Sequence, residues 1–307
     1  MFGLRNYNYE SFTRDLLNEE MSAQSAGPKP GERAPEFEAE TLAGKTIRLG
    51  NYRGWKNVVL SFGSLTCPMT AGSIGGMNEL WYKSGRTDVE FLFVYTREAH
   101  PGERIPAHSS IEDKIHAAAT LRDLEEIEMP IIVDELRGPI HRDYGKLPNS
   151  TFIIDKTGRI AFRALWTQPS VIGDALEALL EQQRAGKSEH VIVNGGEDRS
   201  FPLSYALVHA YSTLERAGEK SLADFRAALG TRGRVVLASS RIAEPIALNP
   251  GKALGAAAIA GGVVAAGLLT GYALRKKRLA ARHPYHVYES RGRTSRTGTD
   301  YGEHVGI

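Results

Sequence analysis

Short apolar runs alternate with amphipathic stretches over the first 184 residues. Residues 57–62 (NVVLSF) and 91–95 (FLFVY) are nearly continuous apolar runs, the pattern of strands buried on both faces. Met129-Pro130-Ile131-Ile132-Val133 reads as another short strand. Thr151–Asp155, a Lys156-Thr157-Gly158 turn and Arg159–Arg163 read as a β-hairpin. Residues 34–50 predict two short strands joined through 43–45, with a turn at 51–54. Helical spacing appears at 8–22, with Phe12, Leu16 and Leu17 on one side, and after Cys67-Pro68. Ser109-x-x-Glu112 reads as a capping box. It opens a helix whose apolar face would carry Ile111, Ile115, Ala118, Leu121 and Leu124. A short helix or turn at 138–145 and a helix at 169–184 complete the unit. Strands alternating with helices predict an α/β fold whose central mixed sheet is covered on both faces.

The rest of the chain reads differently. Residues 187–252 predict helices at 203–216 and 219–229, with Leu203, Ala206, Leu207, Ala210 and Leu214 on one side, followed by a basic linker. This is a C-terminal helical extension, read as a cap or spacer. Residues 253–274 carry no charge, and at ~1.5 Å per residue their helix would be about 33 Å long, enough to cross a bilayer. Lys252 and Arg275–Arg278 bracket the stretch, and Gly267-x-x-x-Gly271 offers a helix-pairing face. Its 8 Ala and 5 Gly also suit a buried helix, the competing reading. The expected layout is an N-terminal helix and linker (1–30), an α/β redox domain (31–186), the extension (187–252), a single transmembrane helix (253–274) and a basic, disordered tail (275–307).

Net charge is +2, which argues against a general nucleic-acid binder. The charge is uneven: residues 275–307 hold 8 Lys/Arg and 3 Asp/Glu. That cluster points to a cytoplasmic tail. The N-terminus has no long apolar core, so no secretory signal is expected, which favours a cytoplasmic redox domain; the two orientation cues conflict. A possible homodimer is compatible with the glycine face. One cysteine excludes an intrachain disulfide and a Cys-x-x-Cys pair. No metal and no bound cofactor are expected.

The chemistry concentrates at Gly63-Ser64-Leu65-Thr66-Cys67-Pro68. Proline is favoured in the first turn of a helix, so Cys67 falls at a helix N-terminus, where backbone N–H groups lower a thiol pKa. Ser64 and Thr66 could add hydroxyl donors to the thiolate. Loops after strand C-termini line sites in α/β sheets. Glu98 and His100 follow the 91–95 strand and should open at the same edge, with His108 just beyond. A histidine beside a carboxylate can deliver a proton near neutral pH. Strand–Cys–helix, with Pro148 before the hairpin, is the thioredoxin-like arrangement.

Across roughly residues 31–184 the chain resembles the iodothyronine deiodinase family. The matching stretches are Gly63–Pro68, Val94-Tyr95-Thr96-Arg97-Glu98-Ala99-His100-Pro101 and Ile105-Pro106-Ala107-His108-Ser109-Ser110-Ile111-Glu112-Asp113, with Val133-Asp134 and Tyr144-Gly145. The resemblance implies a thioredoxin fold with Cys67 in the place of selenocysteine. It implies reductive removal of iodine from an aromatic phenol. The nucleophile takes the halogen, a proton relayed through Glu98 and His100 replaces it on carbon, and His108 binds the phenol hydroxyl. Leu65 stands where the animal enzymes have a cysteine, so an external thiol reductant must regenerate Cys67. Ser150 stands where they have an arginine associated with substrate binding.

Two other readings stand beside it. Gly31-Glu32-Arg33-Ala34-Pro35-Glu36-Phe37 resembles peroxiredoxin-like peroxidases, whose Pro-x-x-x-Thr-x-x-Cys pattern has Leu60 and Ser64 here. The third is a non-catalytic, membrane-tethered thioredoxin-like binding module.

Overall fold

The computed structural model describes residues 7–22, 26–84, 88–186 and 190–248. The expected membrane span at 253–274 and the basic tail lie outside the described residues. Among the described residues no helix is long and apolar enough to cross a membrane.

Eight strands and eight α-helices follow one another along the described chain: α1 (Arg14–Ser22), β1 (Glu38–Glu40), β2 (Thr46–Arg48), β3 (Asn57–Gly63), α2 (Pro68–Ser84), β4 (Val89–Tyr95), α3 (Ile111–Glu125), β5 (Ile131–Val133), α4 (Pro139–Asp143), β6 (Thr151–Ile154), β7 (Ile160–Ala164), α5 (Pro169–Arg184), β8 (Glu197–Asp198), α6 (Leu203–Ala217), α7 (Glu219–Leu229) and α8 (Thr231–Leu248). Six strands form one mixed sheet in the order β5-β4-β3-β6-β7-β8. β3, β4 and β5 are parallel; β6 runs antiparallel to both β3 and β7. This is the thioredoxin-like topology. β1 and β2 pair separately as an antiparallel hairpin.

Every residue of β3 is buried, as its unbroken apolar run requires. Alternation along the strand then sorts side chains to the two faces. Val59 joins Ile74 and Met77 of α2, Ala118 and Leu121 of α3, and Ile172, Leu176 and Leu179 of α5. Val58, Leu60 and Phe62 face the other way, toward Ile47, Leu49, Ile140 and Tyr144. The register Gly63↔Tyr95 ends β3 and β4 at one level, and Thr96 N–H donates to Gly63 O at 2.9 Å. The loops after these strands therefore open at one edge, as expected.

Several local expectations are corrected. The α3 capping box forms one residue later, with Ser110 as N-cap and Asp113 as its partner. The buried face of α3 is Lys114, Ala117, Ala118 and Leu121, while Ile115 and Leu124 are exposed. Ala117, Ala118 and Leu121 share one core cluster with Ile74 and Met77 of α2 and Ile131 of β5. Residues 231–248, read as a basic linker, form α8. Leu237 and Ala247 are buried, and Ser240 takes the Tyr211 N–H and donates to Val208 O, both at 2.8 Å. The cationic residues Arg232, Arg234 and Arg241 stay on the exposed side, which hid this spacing. β8, unforeseen, adds a sixth strand from the start of the extension.

Candidate active site

Gly63 ends β3 where a side chain has no room: a Cβ there would lie 2.6 Å from both Thr70 Oγ1 and the Phe93 ring. The chain then turns through 64–66, and Cys67 precedes the first residue of α2. Cys67 N–H donates to Ser64 O at 3.3 Å, and Cys67 O accepts from Ala71 N–H at 3.1 Å, so Cys67 starts the helix as predicted.

The thiol itself departs from expectation. Cys67 is 2% exposed and packs among Met69, Ala99, Leu147, Leu165, Trp166 and Ala206. Burial pushes its pKa up to about 11, against the Thr70 N–H, the Thr70 hydroxyl and the Met69 N–H that favour the thiolate, with Glu20 adding to the rise. The helix N-terminus supplies its donors, but desolvation outweighs them. Ser64 and Thr66 are not those donors. Ser64 Oγ accepts from Ala99 N–H at 3.2 Å, and Thr66 Oγ1 donates to Glu98 Oε2 at 2.6 Å. The hydroxyl beside the sulfur is that of Thr70, one turn into α2, which a helix-start pattern could have indicated.

Glu98 organises the second loop. Its carboxylate, fully buried, accepts from Thr66 N–H at 2.9 Å, from the Thr66 hydroxyl and from the Tyr95 hydroxyl. His108 Nε2 lies 3.1 Å from Glu98 Oε1, an ion-pair distance, but off the line of a good hydrogen bond. Burial by itself would raise this carboxyl, yet His108, Thr66 and Tyr95 together hold it below the ordinary value. Glu98 is therefore an ionised acceptor at neutral pH.

His100 is brought to the same edge but turned away from the carboxylate. Its N–H donates to Thr66 Oγ1 at 3.0 Å, so the Thr66 hydroxyl bridges loop and carboxylate. Its ring sits edge-on to Phe12 at 4.3 Å and to Phe225 at 5.6 Å, and Nδ1 has no hydrogen-bond partner. Burial lowers its pKa to about 3, with Glu98 opposing. The imidazole is neutral. The expected Glu98–His100 pair is thus a Glu98–His108 pair, with His100 in an aromatic slot.

The loop before β6 closes the other side. Leu147 packs on Cys67, and Asn149 Oδ1 accepts from Thr167 N–H at 3.1 Å. Three contributions escaped sequence reading because nothing local signals them. Tyr9 OH donates to Ala99 O at 2.8 Å. The Arg97 guanidinium lies between the Tyr7 and Tyr9 rings, 5.2 and 4.8 Å from their centroids. From the extension, Tyr205 and Val236 pack on the cysteine cluster.

Several known proteins are similar to part of this chain. Residues 30–163 match the AhpC/TSA family. The chain is 28% identical over 142 residues to type I iodothyronine deiodinase of Xenopus laevis, covering 43% of this chain and 55% of that one. It is 29% identical over 131 residues to the thiol-disulfide oxidoreductase ResA of Bacillus thuringiensis, covering 42% of this chain and 66% of that one. Among solved structures, a secreted Mycobacterium tuberculosis disulfide oxidoreductase aligns with 47% of this chain and 96% of its own, at 16% identity and a TM-score of 0.38. The chain spans about half the length of the deiodinase it matches. With the β5-β4-β3-β6-β7-β8 sheet and a cysteine at the start of α2, the chain has a thioredoxin-like fold, and its residues 30–163 are similar to the AhpC/TSA family.

Proposed function

We propose that the protein is a Cys67-dependent thiol oxidoreductase that removes iodine reductively from an iodinated phenol, with an external thiol as reductant. One observation carries this reading. A buried, ionised carboxylate, Glu98, is tied to the residue preceding the nucleophile and faces a histidine, His108, at the same sheet edge. A halide transfer to sulfur needs a proton source and a holder for the phenol oxygen beside the nucleophile. A thiol-disulfide exchange needs neither.

In the proposed cycle the Cys67 thiolate attacks iodine, forming an S–I bond as the C–I bond breaks. The electron pair left on carbon takes a proton that solvent water supplies, relayed through the hydroxyls of Thr66 and Tyr95 on Glu98, with Glu98 itself staying ionised. His108, oriented by Glu98, holds the phenol oxygen. One external thiolate then displaces iodide from sulfur to give a mixed disulfide. A second thiolate releases the Cys67 thiolate and an external disulfide. His100 does not face Glu98 in this state, so it enters the relay only if its ring turns.

The test is iodide release from 2,4,6-triiodophenol with dithiothreitol. Cys67→Ser should abolish it, and Glu98→Gln and His108→Ala should each lower it by about 100-fold or more, the range of general acid–base groups. Release that survives Cys67→Ser refutes the reading. The match over residues 30–163 favours a second reading, a thiol peroxidase. Peroxide-driven sulfenic acid at Cys67, with no iodide released from the iodophenol, would select it.

A further inference from the structure

The segment ahead of α1 lies on the site through side chains that a surface leader would not bury. Tyr7, Tyr9 and Phe12 are all buried. Tyr7 OH bonds to His141 Nδ1 at 2.8 Å, Tyr9 OH to Ala99 O, and Phe12 covers the His100 ring. Ala99, whose carbonyl Tyr9 holds, packs on Cys67. An aromatic residue of the chain's own thus holds the loop that packs on the nucleophile.

Arg97 gives the second, independent observation. It belongs to the loop of Glu98 and His100, and it is buried. Among the described residues, its guanidinium takes its hydrogen-bond, ion-pair and ring partners from residues 7–20. Nη1 donates to Tyr7 O at 3.2 Å, Nη2 lies 3.7 Å from Glu20 Oε1, and the plane lies between Tyr7 and Tyr9. Glu20 Oε1 has no hydrogen bond, so the pair is loosely made. A buried guanidinium separated from that segment would be an uncompensated cation, which is costly until an anion replaces it.

We propose that residues 7–22 occupy the substrate cleft as an intramolecular plug, and that Arg97 is the residue that receives the oxyanion of an aromatic substrate when the plug withdraws. The rings of Tyr7 and Tyr9 mark where an aromatic face fits, and the Glu20 carboxylate marks where the anion fits. Withdrawal would release Ala99, which packs on Cys67 and whose carbonyl Tyr9 holds, and would take the Glu20 charge away from the sulfur, two changes that each favour thiolate. This deepens the function proposed above, whose substrate class it narrows to ionised aryl oxyanions.

The experiment keeps the full chain. Lys220 Nζ of α7 donates to Glu10 O at 2.5 Å and to Ser11 Oγ at 2.7 Å, and its side chain is 40% exposed. Lys220→Ala cuts these tethers without touching the core, and Tyr9→Ala removes the ring itself. Alkylation of Cys67 by iodoacetamide at neutral pH should rise about tenfold in Lys220→Ala, the scale of one or two lost hydrogen bonds. In the same variant, 2,4,6-triiodophenol, ionised at neutral pH, should bind while its uncharged methyl ether does not. Adding Arg97→Gln should keep the fast alkylation and weaken triiodophenol binding about tenfold. Unchanged alkylation in Lys220→Ala, or equal binding of phenol and ether, overturns the proposal. Binding and alkylation as expected without iodide release would leave it standing and remove the deiodination reading. Iodide release indifferent to Lys220→Ala, with alkylation unchanged, would do the reverse.

Discussion

Two buried titratable groups on the site oppose one another between pH 4.5 and 6.5. His100 falls from 6.5 to about 3 through burial, so over that range the unfolded chain binds a proton that the native chain does not, and stability rises with pH. Its contribution is complete above 6.5 and is lost as pH falls toward 3. Glu20 is raised from 4.5 to about 7, again chiefly by burial, against Arg97. Its native carboxyl keeps a proton that the unfolded chain has lost, so its contribution is complete below 4.5 and is lost as pH rises through about 7. One proton each way leaves the wild type nearly flat. His100→Gln should therefore lose stability as pH rises from 5 to 6, and Glu20→Gln should gain it, each by up to about 1.4 kcal/mol per unit. Urea unfolding at the two pH values reads this directly; equal slopes in both variants would contradict the burial of one of the pair.

At the scale of elements, α2 is pinned between partners that its glycines admit. Gly72 faces α6: a Cβ there would fall 2.5 Å from Cγ and 2.6 Å from Cβ of Tyr205. Gly76 meets the Pro169 ring at 2.6 Å, at the start of α5. The cysteine-bearing helix is thus locked to the extension as well as to the sheet domain. Gly72→Ala gains helix propensity but must drive Tyr205 off, and we expect a net loss of about 1–3 kcal/mol. Tyr205→Ala in the same chain should recover part of that loss. Thermal unfolding of the four members of this cycle measures the coupling; additive losses would show that the two residues do not meet.

For the whole molecule, α6, α7 and α8 stack on one another and on α2, and through Phe12, Phe225 and Leu237 they share a core with the N-terminal segment. The extension therefore packs on the nucleophile through Ala206, Tyr205 and Val236, and the N-terminal segment packs on the extension. Glu103, accepting from the N–H groups of Glu219 and Lys220 at the start of α7, ties this cover back to the loop after β4. The uncharged 253–274 stretch carries a separate expectation. The full chain should stay with membranes through an alkaline carbonate wash, and a chain ended at Leu248 should not. Recovery of the full chain in the supernatant would return that stretch to the buried Ala/Gly reading.

The strands were legible because full burial demands apolar runs: 57–62, 91–95 and the 151–163 hairpin fall on β3, β4 and β6–β7. The helices read at 169–184, 203–216 and 219–229 fall on α5, α6 and α7, the second from the helical spacing of Leu203, Ala206, Leu207, Ala210 and Leu214. The sequence by itself also determined which loops share an edge, since parallel β3 and β4 must open on the same side, and that placed Cys67, Glu98, His100 and His108 together. Tertiary structure alone decided what these groups are. A helix start predicts an acidic thiol, but contacts from residues 147, 165, 166 and 206, distant along the chain, exclude the water that would support the charge. Which imidazole meets Glu98 depends on ring direction, and Phe12 and Phe225 turn His100 out while His108 turns in. Local pattern encodes where backbone goes; desolvation and pairing are sums over neighbours that only the folded chain brings within reach.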